Sequence, residues 1–171
     1  MPLTDVTVKF LEMTAPGELR PKRSSLAGVT VTRVPHPMPE LNRFFYAAVG
    51  ANHYWIDRLS WSLERWQEYV SRPGIDTYVL AVEGIPAGYF ELERHANGDV
   101  EIKYFGLISS FIGKGLGAHM LTAAAEAAWA AGAKRVILDT CSLDHPKAFD
   151  NYVARGFQLY NTKIVQKEIP G

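Results

Sequence analysis

The sequence has a single cysteine, Cys141, in 171 residues, so it contains no internal disulfide. One unpaired thiol is typical of a reducing compartment, which predicts a cytoplasmic protein. The 18 basic and 18 acidic residues cancel, so no excess of positive charge indicates a nucleic-acid or membrane partner. No apolar run approaches the ~20 residues of a membrane span. The N-terminus also lacks the basic and apolar segments of a signal peptide.

Hydrophobic patterns divide the chain, which we expect to form one domain over residues 1–171. Residues 1–34 contain two strand patterns, which are predicted to pair as a hairpin at the edge of a sheet. Residues 35–75 carry helical patterns and many aromatic side chains. Strand, turn and helix signals alternate through residues 77–157, and residues 158–171 supply one or two final strands. These patterns predict a mixed α+β fold.

A strand, a glycine-rich turn and a helix follow one another from Val100 to Ala131. Residues Val100–Ile108 alternate in polarity as a β-strand does. Regular alternation would place Glu101 on the same side of this strand as Phe105 and Leu107. The strand pattern and the helical pattern belong to a strand–helix–strand unit, which implies a right-handed crossover and a parallel pair of strands.

The turn between that strand and that helix has alternate glycines at Gly113, Gly115 and Gly117, and the helical period begins at Leu116. Glycine lets the backbone approach a ligand closely. The N–H groups at a helix start, together with the helix dipole, favour an anion, which is most often a phosphate. The turn therefore predicts a site for a cofactor that bears a pyrophosphate.

Three phosphate-binding loops can be compared with this turn. A Walker A loop needs Gly-x-x-x-x-Gly-Lys followed by Ser or Thr, but Gly115 follows Lys114 here. A dinucleotide fingerprint is matched by Gly113, Gly115 and Ala118. Too few residues follow for a doubly wound domain, however, and the preceding strands have the patterns of antiparallel hairpins. A dinucleotide-dependent enzyme is therefore kept as the weaker alternative.

The third loop is the acetyl-CoA loop of the GNAT N-acetyltransferases, which this turn resembles. That loop, Gln/Arg-x-x-Gly-x-Gly/Ala, places Ile112, Gly115 and Gly117 at its defined positions, with Ile112 in place of the usual Gln or Arg. Residues 144–157, DHPKAFDNYVARGF, resemble the second family motif, Asp-Asn-Pro-Ala-Ala-x-x-x-Tyr-x-x-x-Gly-Phe. The resemblance extends over residues 77–157. It implies the GNAT fold, a twisted mixed sheet of about six to eight strands with helices on both faces.

The resemblance implies acetyl-CoA as the co-substrate and assigns residues to it. Backbone N–H groups around Phe105 and Leu107 would polarise the thioester carbonyl, and Leu107 would also pair with the pantetheine arm. The pyrophosphate would be held by the turn residues Ile112, Gly113, Lys114, Gly115, Leu116, Gly117 and Ala118. His145 stands where the family has Asn. It would hydrogen-bond the pantetheine, serve as an auxiliary base or cap the start of the helix that follows.

Acetyl transfer to an amine needs a base, because an alkyl amine with a pKa near ~10.4 is almost wholly protonated at neutral pH. Glu101 stands eleven residues before Ile112, the spacing at which several GNAT enzymes keep their glutamate base. Glu91 and Glu93 are its substitutes. Tyr152 matches the tyrosine of the family that protonates the departing thiolate.

The first two helices of the family and their connection form one wall of the acceptor site, which here lies within residues 35–75. Tyr54 and Trp55, near that connection, are predicted to contact the substrate. The aromatic, charge-poor wall favours a small-molecule amine over a basic protein tail. Dimers are common in the family, but the oligomeric state is left open between a monomer and a homodimer. No group of His, Cys, Asp and Glu has metal-ligand spacing in the sequence, so no metal is predicted.

The expected function is therefore N-acetyl transfer in a ternary complex with acetyl-CoA and the amine. The main alternative is a GNAT-fold module that binds acyl-CoA without catalysis, for sensing or regulation. The presence of both Glu101 and Tyr152 argues against that alternative. The identity of the acceptor amine is left open.

Overall fold

The computed structural model describes residues 2–170, in which seven strands form one sheet and four α-helices pack on it. The strands are β1 (Leu3–Met13), β2 (Val29–Arg33), β3 (Ile75–Val82), β4 (Ile85–Arg94), β5 (Asp99–Leu107), β6 (Arg135–Cys141) and β7 (Gln158–Glu168). The helices are α1 (Pro39–Gly50), α2 (Leu63–Val70), α3 (Leu116–Ala130) and α4 (Ala148–Ala154). None of these helices combines the length and the apolar character that crossing a bilayer requires.

The strands lie in the order β2-β3-β4-β5-β6-β1-β7, and every neighbouring pair is antiparallel except β5 and β6. The parallel pair β5–β6 is joined through α3, as predicted. Tyr89 on β4 packs against α1, whereas the adjacent Phe90 packs in the core cluster that contains α3. The helices therefore cover both faces of the sheet. The predicted mixed α+β fold is confirmed.

The hairpin predicted within residues 1–34 is not formed. β1 pairs with β6 and β7, while β2 pairs with β3 at the far edge of the sheet. The chain between them, residues 14–28, is tied to other elements: the backbone N–H of Lys22 donates to Thr122 on α3 over 3.0 Å. This prediction was wrong because an alternating pattern identifies a strand but not its partner.

The helix α3 lies against the middle of the sheet. Leu116, Met120 and Leu121 are fully buried there, as are the small residues Ala124 and Ala125. Alanine side chains allow a helix to approach a sheet closely, so α3 contributes much of the main core. Its position brings the N-terminus of the helix to the end of β5, where the glycine-rich turn lies.

β5 and β6 separate after only three residue pairs, in which Asp99–Glu101 face Arg135–Ile137. Beyond Glu101 the two strands diverge, and the side of β5 that faced β6 is left without a strand partner. The predicted splay between these strands is therefore present. An unpaired strand edge exposes backbone donors and acceptors, which an extended ligand can use.

A β-bulge lies in the diverging half of β5. Tyr89 pairs with Gly106 but Glu91 pairs with Lys103, so two residues of β5 oppose a single residue of β4. Tyr104 at the bulge has a φ of +50°, which is rare for a residue with a side chain. The alternation of side chains is therefore reversed beyond this point.

The bulge corrects the predicted orientation of Glu101. Phe105 and Leu107 pack in the main core with Ile102, on the α3 side of the sheet. Glu101 follows the opposite alternation and lies on the other face. The prediction that Glu101 shares a side with Phe105 and Leu107 was wrong, because it assumed an unbroken strand.

Candidate active site

The glycine-rich turn has the geometry of an anion site. Gly113 and Gly115 have φ values of +84° and +75°, in the left-handed region that glycine adopts without strain. A Cβ atom built on either residue would meet no heavy atom within 4 Å, so a ligand has room to approach the backbone. Gly115 is also the N-cap of α3 and supplies no capping side chain. The first N–H groups of the helix are thus directed at this space.

A cavity of about 220 Å³, named here the cofactor cavity, lies between this turn, β5 and α4. Its walls include Phe105, Leu107, Ile112, Gly113, Gly115, Leu116, Gly117, Ala118 and His145. The structure thus brings together all the residues predicted for the cofactor except Lys114. The ammonium of Lys114 lies 5.8 Å from the centre of the Phe111 ring, and neither residue lines the cavity.

His145 has a second role beside its place in the cofactor cavity. Its Nδ1 accepts a hydrogen bond from the backbone N–H of Lys147 over 3.1 Å. This bond stabilises the turn before α4 and implies that the Nε2 atom carries the proton when the ring is neutral. The ring therefore presents an N–H donor, where the family pattern has the amide of Asn.

A second cavity of about 270 Å³, named here the acceptor cavity, lies on the side of the sheet that carries α1 and α2. Tyr54 and Trp55, the residues predicted to contact the acceptor, both line it. Tyr54 is 47% exposed and has a φ of +55°, while Trp55 packs edge-on against Tyr104 with ring centres 5.5 Å apart. Glu101 also lines this cavity.

Tyr152 lies where the two cavities meet, and it lines both of them. Its ring packs against Phe105 and Phe157, with centres 6.0 and 6.5 Å away. Burial raises the pKa of the Tyr152 phenol well above its ordinary value, and the nearby charges of Asp144 and Asp139 raise it further. Tyr152 therefore keeps its proton throughout the neutral range and can act as a donor.

The carboxylate of Glu101 lies 2.9 Å from Nε2 of His95. Glu93 is close to both, and the three side chains can bring one ligand atom each within 4.8 Å of the others. The sequence spacing had indicated no such cluster, because cross-strand pairing of β4 and β5 creates it. Glu93, however, already accepts from Arg72 over 2.6 Å and from Lys103 over 2.9 Å, so its charge is balanced without an ion.

Glu91, the first predicted substitute for Glu101, is sealed inside the protein. It is fully buried, and it accepts hydrogen bonds from the Tyr69 hydroxyl and from the Asn42 amide. Burial raises the pKa of Glu91, and these donors act in the opposite direction. Glu93, the second substitute, is tied to Arg72 and Lys103. Glu91 therefore has a role in the packing of α1 and α2 rather than in contact with a ligand.

Sequence reasoning missed three carboxylates that line the acceptor cavity, Asp57, Asp139 and Asp144. Asp144 accepts from Thr140 Oγ1 over 2.5 Å and from the backbone N–H of Cys141 over 2.8 Å, so it fixes the turn after β6. The one available signal for Asp139 was its place in Arg135–Cys141, where it interrupts an apolar strand.

Cys141 is an inert thiol in this setting. It lines the acceptor cavity, but burial raises the pKa of its thiol and the charge of Asp144 raises it further. A nucleophilic cysteine needs a lowered pKa and a basic partner. The structure therefore gives Cys141 no catalytic activation.

Arg58 anchors the connection between α1 and α2, which forms one wall of the acceptor cavity. Its guanidinium carbon lies 4.1 Å from the ring centre of Tyr69, 4.3 Å from Tyr104 and 4.5 Å from Trp61. Tyr69 in turn donates to the buried carboxylate of Glu91. The cation is thus held between aromatic faces and near a buried negative charge.

Replacing Arg58 by methionine is expected to lower the free energy of unfolding by roughly 2 kcal/mol, because several cation–π contacts are lost at a partly desolvated site. Arg65→Met is the matched control, since Arg65 lies 4.5 Å from the same Trp61 ring on an exposed side of α2. It should cost no more than about 0.5–1 kcal/mol. Urea unfolding followed by tryptophan fluorescence measures both; equal losses would contradict the anchoring role.

The family model described as "Acetyltransferase (GNAT) family" matches residues 38–157 of the chain. No curated protein matches the chain. Its fold is similar to that of a GCN5-related N-acetyltransferase from Kribbella flavida, with a TM-score of 0.69 and 21% identity over 99% of this chain. It is also similar to a GCN5-related N-acetyltransferase from Sphaerobacter thermophilus, with a TM-score of 0.71 and 16% identity over 97% of this chain.

The chain spans only 61% and 51% of the lengths of those two solved structures. A shorter solved structure, an aminoglycoside acetyltransferase from an uncultured soil metagenomic sample, is similar over 75% of this chain and 87% of its own length. Its identity to this chain is 14% and the TM-score is 0.62. At these identities the similarity concerns the fold.

Proposed function

The chain belongs to the GNAT family of acetyltransferases, and from that premise we propose that it transfers the acetyl group of acetyl-CoA to the primary amine of a small molecule. The observation that carries this proposal is the meeting of two cavities at Tyr152. One has a glycine-rich turn at a helix start, and the other has carboxylates and aromatic rings. Direct transfer requires these two chemistries to meet at one point.

The residues of the cofactor cavity fit acetyl-CoA. The turn from Ile112 to Ala118 would hold the pyrophosphate, since its glycines leave space and α3 directs N–H groups at it. The unpaired edge of β5 beyond Glu101 would pair with the pantetheine arm in the manner of an added strand. When bound, acetyl-CoA supplies the activated acetyl group.

Three groups of the chain would then act on the transfer. Glu101 on the acceptor side promotes loss of the proton from the ammonium form of the amine. Backbone N–H groups around Phe105 and Leu107 stabilise the negative charge on the carbonyl oxygen; loss of one such donor typically costs ~10²–10³ in turnover. Tyr152 gives its proton to the departing sulfur.

The acceptor cavity favours a cationic amine. Its walls combine the aromatic faces of Tyr54, Trp55 and Tyr104 with four carboxylates, which outnumber the two lysines of the same lining; these charged residues are Asp57, Glu101, Asp139, Asp144, Lys103 and Lys167. Aromatic faces and carboxylates both attract an ammonium group. The solved aminoglycoside acetyltransferase, which by its name acts on a small-molecule amine, is compatible with this choice.

Binding of acetyl-CoA is the first test, by calorimetric titration of the wild type with acetyl-CoA, CoA, NADH and ATP. Gly117→Val should weaken acetyl-CoA binding at least about tenfold, because a branched side chain would fill the space above the helix start. Gly17→Val is the matched control, since a Cβ at Gly17 meets nothing within 4 Å, a Cβ at Gly117 makes only an ordinary contact of 3.7 Å with Asn151, and Gly17 does not line the cavity. Gly17→Val should bind acetyl-CoA with the affinity of the wild type.

Turnover is the second test, by release of free thiol from acetyl-CoA with a panel of small amines. No acetyl-CoA binding would overturn the proposal, and NADH binding in its place would favour a dinucleotide enzyme. Acetyl-CoA binding without turnover of any amine would favour the non-catalytic module instead.

A further inference from the structure

The proposed function leaves open which atom receives the proton of the acceptor ammonium. Glu101 promotes that step in the proposal, but its carboxylate lies at the closed end of the splay between β5 and β6. Glu101 is in the last residue pair before the strands diverge, opposite Ile137. It is also engaged by His95, whose ring nitrogen lies 2.9 Å from its carboxylate.

Asp139 lies on the same face of the sheet but nearer the opening. It follows Ile137 by two residues on β6, and residues two apart on a strand face the same way. It is therefore one step further than Glu101 towards the region where the strands are apart. Both carboxylates line the acceptor cavity.

The charge of Asp139 affects the protonation of Tyr152. Besides burial and Asp144, the charge of Asp139 contributes to the raised pKa of the Tyr152 phenol. Tyr152 is one of the five residues that line both cavities, with His53, Trp55, Phe105 and Asp144. Asp139 thus lies within electrostatic reach of both Glu101 and Tyr152. Asp144 acts more strongly on Tyr152, but its carboxylate already accepts hydrogen bonds from Thr140 and from the backbone N–H of Cys141.

The groups around Asp139 allow it to hold a proton. Asp139 is exposed to the open cavity. Partial desolvation by the surrounding protein atoms raises its pKa, and the charges of Glu101 on β5 and Asp144 after β6 raise it further. Lys103 on β5 and Lys167 on β7 act in the opposite direction, and the net change is upward. A carboxylate with a raised proton affinity is a better general base.

On these grounds, and resting on the proposed function, we infer that Asp139 is the group that takes the proton from the acceptor amine, with Glu101 as a positioning residue that acts through Asp139. In this step an N–H bond of the ammonium breaks and an O–H bond forms on the Asp139 carboxylate. The nitrogen keeps the electron pair and attacks the thioester carbonyl. The C–S bond then breaks, the sulfur takes the proton of Tyr152, and the second proton lost by the nitrogen restores the Tyr152 hydroxyl. The protonated Asp139 later returns its proton to solvent.

Asp139→Asn tests the inference in kinetics, with sisomicin and tryptamine as the amine probes. We expect kcat to fall by ~10²–10⁴, the usual contribution of a general base, with unchanged affinity for acetyl-CoA. Asp5→Asn makes the same chemical change at an exposed position of β1 and should leave kcat as in the wild type. A kcat in Asp139→Asn within threefold of the wild type would overturn the inference.

The pH dependence of kcat/KM in Glu101→Gln tests whether Asp139 or Glu101 is the base. Asp139 must be ionised to accept a proton, so activity falls as pH drops through its raised pKa. Removing the negative charge of Glu101 lowers that pKa, which should move the acidic limb of kcat/KM to lower pH. Glu101→Asp restores the charge and should return the limb towards its wild-type position. If Glu101→Gln abolishes the acidic limb while Asp139→Asn retains it, Glu101 is the base itself.

Carbon-13 NMR of the side-chain carboxyls gives a readout that needs no acceptor. The Asp139 resonance should titrate above the ordinary aspartate value of ~3.9 in the wild type and closer to that value in Glu101→Gln. An ordinary Asp139 pKa, or one that Glu101→Gln leaves unchanged, would overturn the inference. Failure of the wild type to release thiol with any amine would count against the proposed function instead.

Discussion

Gly156→Ala is expected to destabilise the protein by at least about 4 kcal/mol, which places it among the largest single-residue effects. Gly156 follows α4 with a φ of +107°, a conformation that costs any other residue backbone strain. A Cβ at this position would also fall far inside the van der Waals distance of the backbone carbonyl of Glu18. The neighbouring backbone is held in place, since the N–H of Arg20 donates to the carbonyl of Arg155 over 2.9 Å.

Gly132→Ala provides the matched control for this prediction. Gly132 ends α3 with a φ of +88°, but a Cβ there would meet nothing within 4 Å. Gly132→Ala should lower the free energy of unfolding by roughly 1 kcal/mol, which is the backbone conformational penalty alone. Urea unfolding of both variants separates strain from the collision. If Gly156→Ala loses no more than Gly132→Ala, the segment around Glu18 does not pack on α4 in solution.

Elements with a strong local signal could be predicted from the sequence. The alternate glycines predicted a turn whose backbone a ligand can approach closely, and the space beside Gly113 and Gly115 is open in the structure. The parallel pairing of β5 and β6 followed from the strand–helix–strand order, because the crossover connection allows little else. In both cases nearby residues determine the structure.

The β-bulge at Tyr104 could not be predicted in this way. Tyrosine has no preference for a positive φ, and no glycine or asparagine marks the position. Contacts distant in sequence hold the ring, with Arg58 at 4.3 Å and Trp55 at 5.5 Å from its centre. The orientation of Glu101 relative to Phe105 depended on this tertiary arrangement, and the local pattern misplaced it.

Only one of the four carboxylates that line the acceptor cavity could be predicted from the sequence. Glu101 was found from its spacing to the turn, which reflects a resemblance rather than geometry. Asp139 lies 38 residues further along the chain and reaches the same cavity only because β6 pairs beside β5. Strand partners are set by the whole sheet, as the unformed hairpin of residues 1–34 also illustrates.

Tyr152→Phe is expected to lower kcat by ~10²–10⁴ with acetyl-CoA as the donor, because the departing thiolate loses its proton source. The aromatic ring and its packing against Phe105 are retained, so stability and acetyl-CoA affinity should change little. Tyr160→Phe removes the same hydroxyl from the exposed strand β7 and should have the activity of the wild type. Thiol release under saturating acetyl-CoA measures kcat for the wild type and the two variants.

The acidity of the leaving thiol distinguishes proton donation by Tyr152 from a role in positioning. A thioester of a more acidic thiol, such as 4-nitrophenyl thioacetate, releases a thiolate that is stable without a proton. With this donor, Tyr152→Phe should therefore lower kcat by tenfold or less, because protonation of the departing sulfur no longer limits the rate. An equal loss with both donors would mean that the hydroxyl only orients the thioester. Because the pKa of Tyr152 is raised, the phenol holds its proton throughout the neutral range and is in the form that can donate.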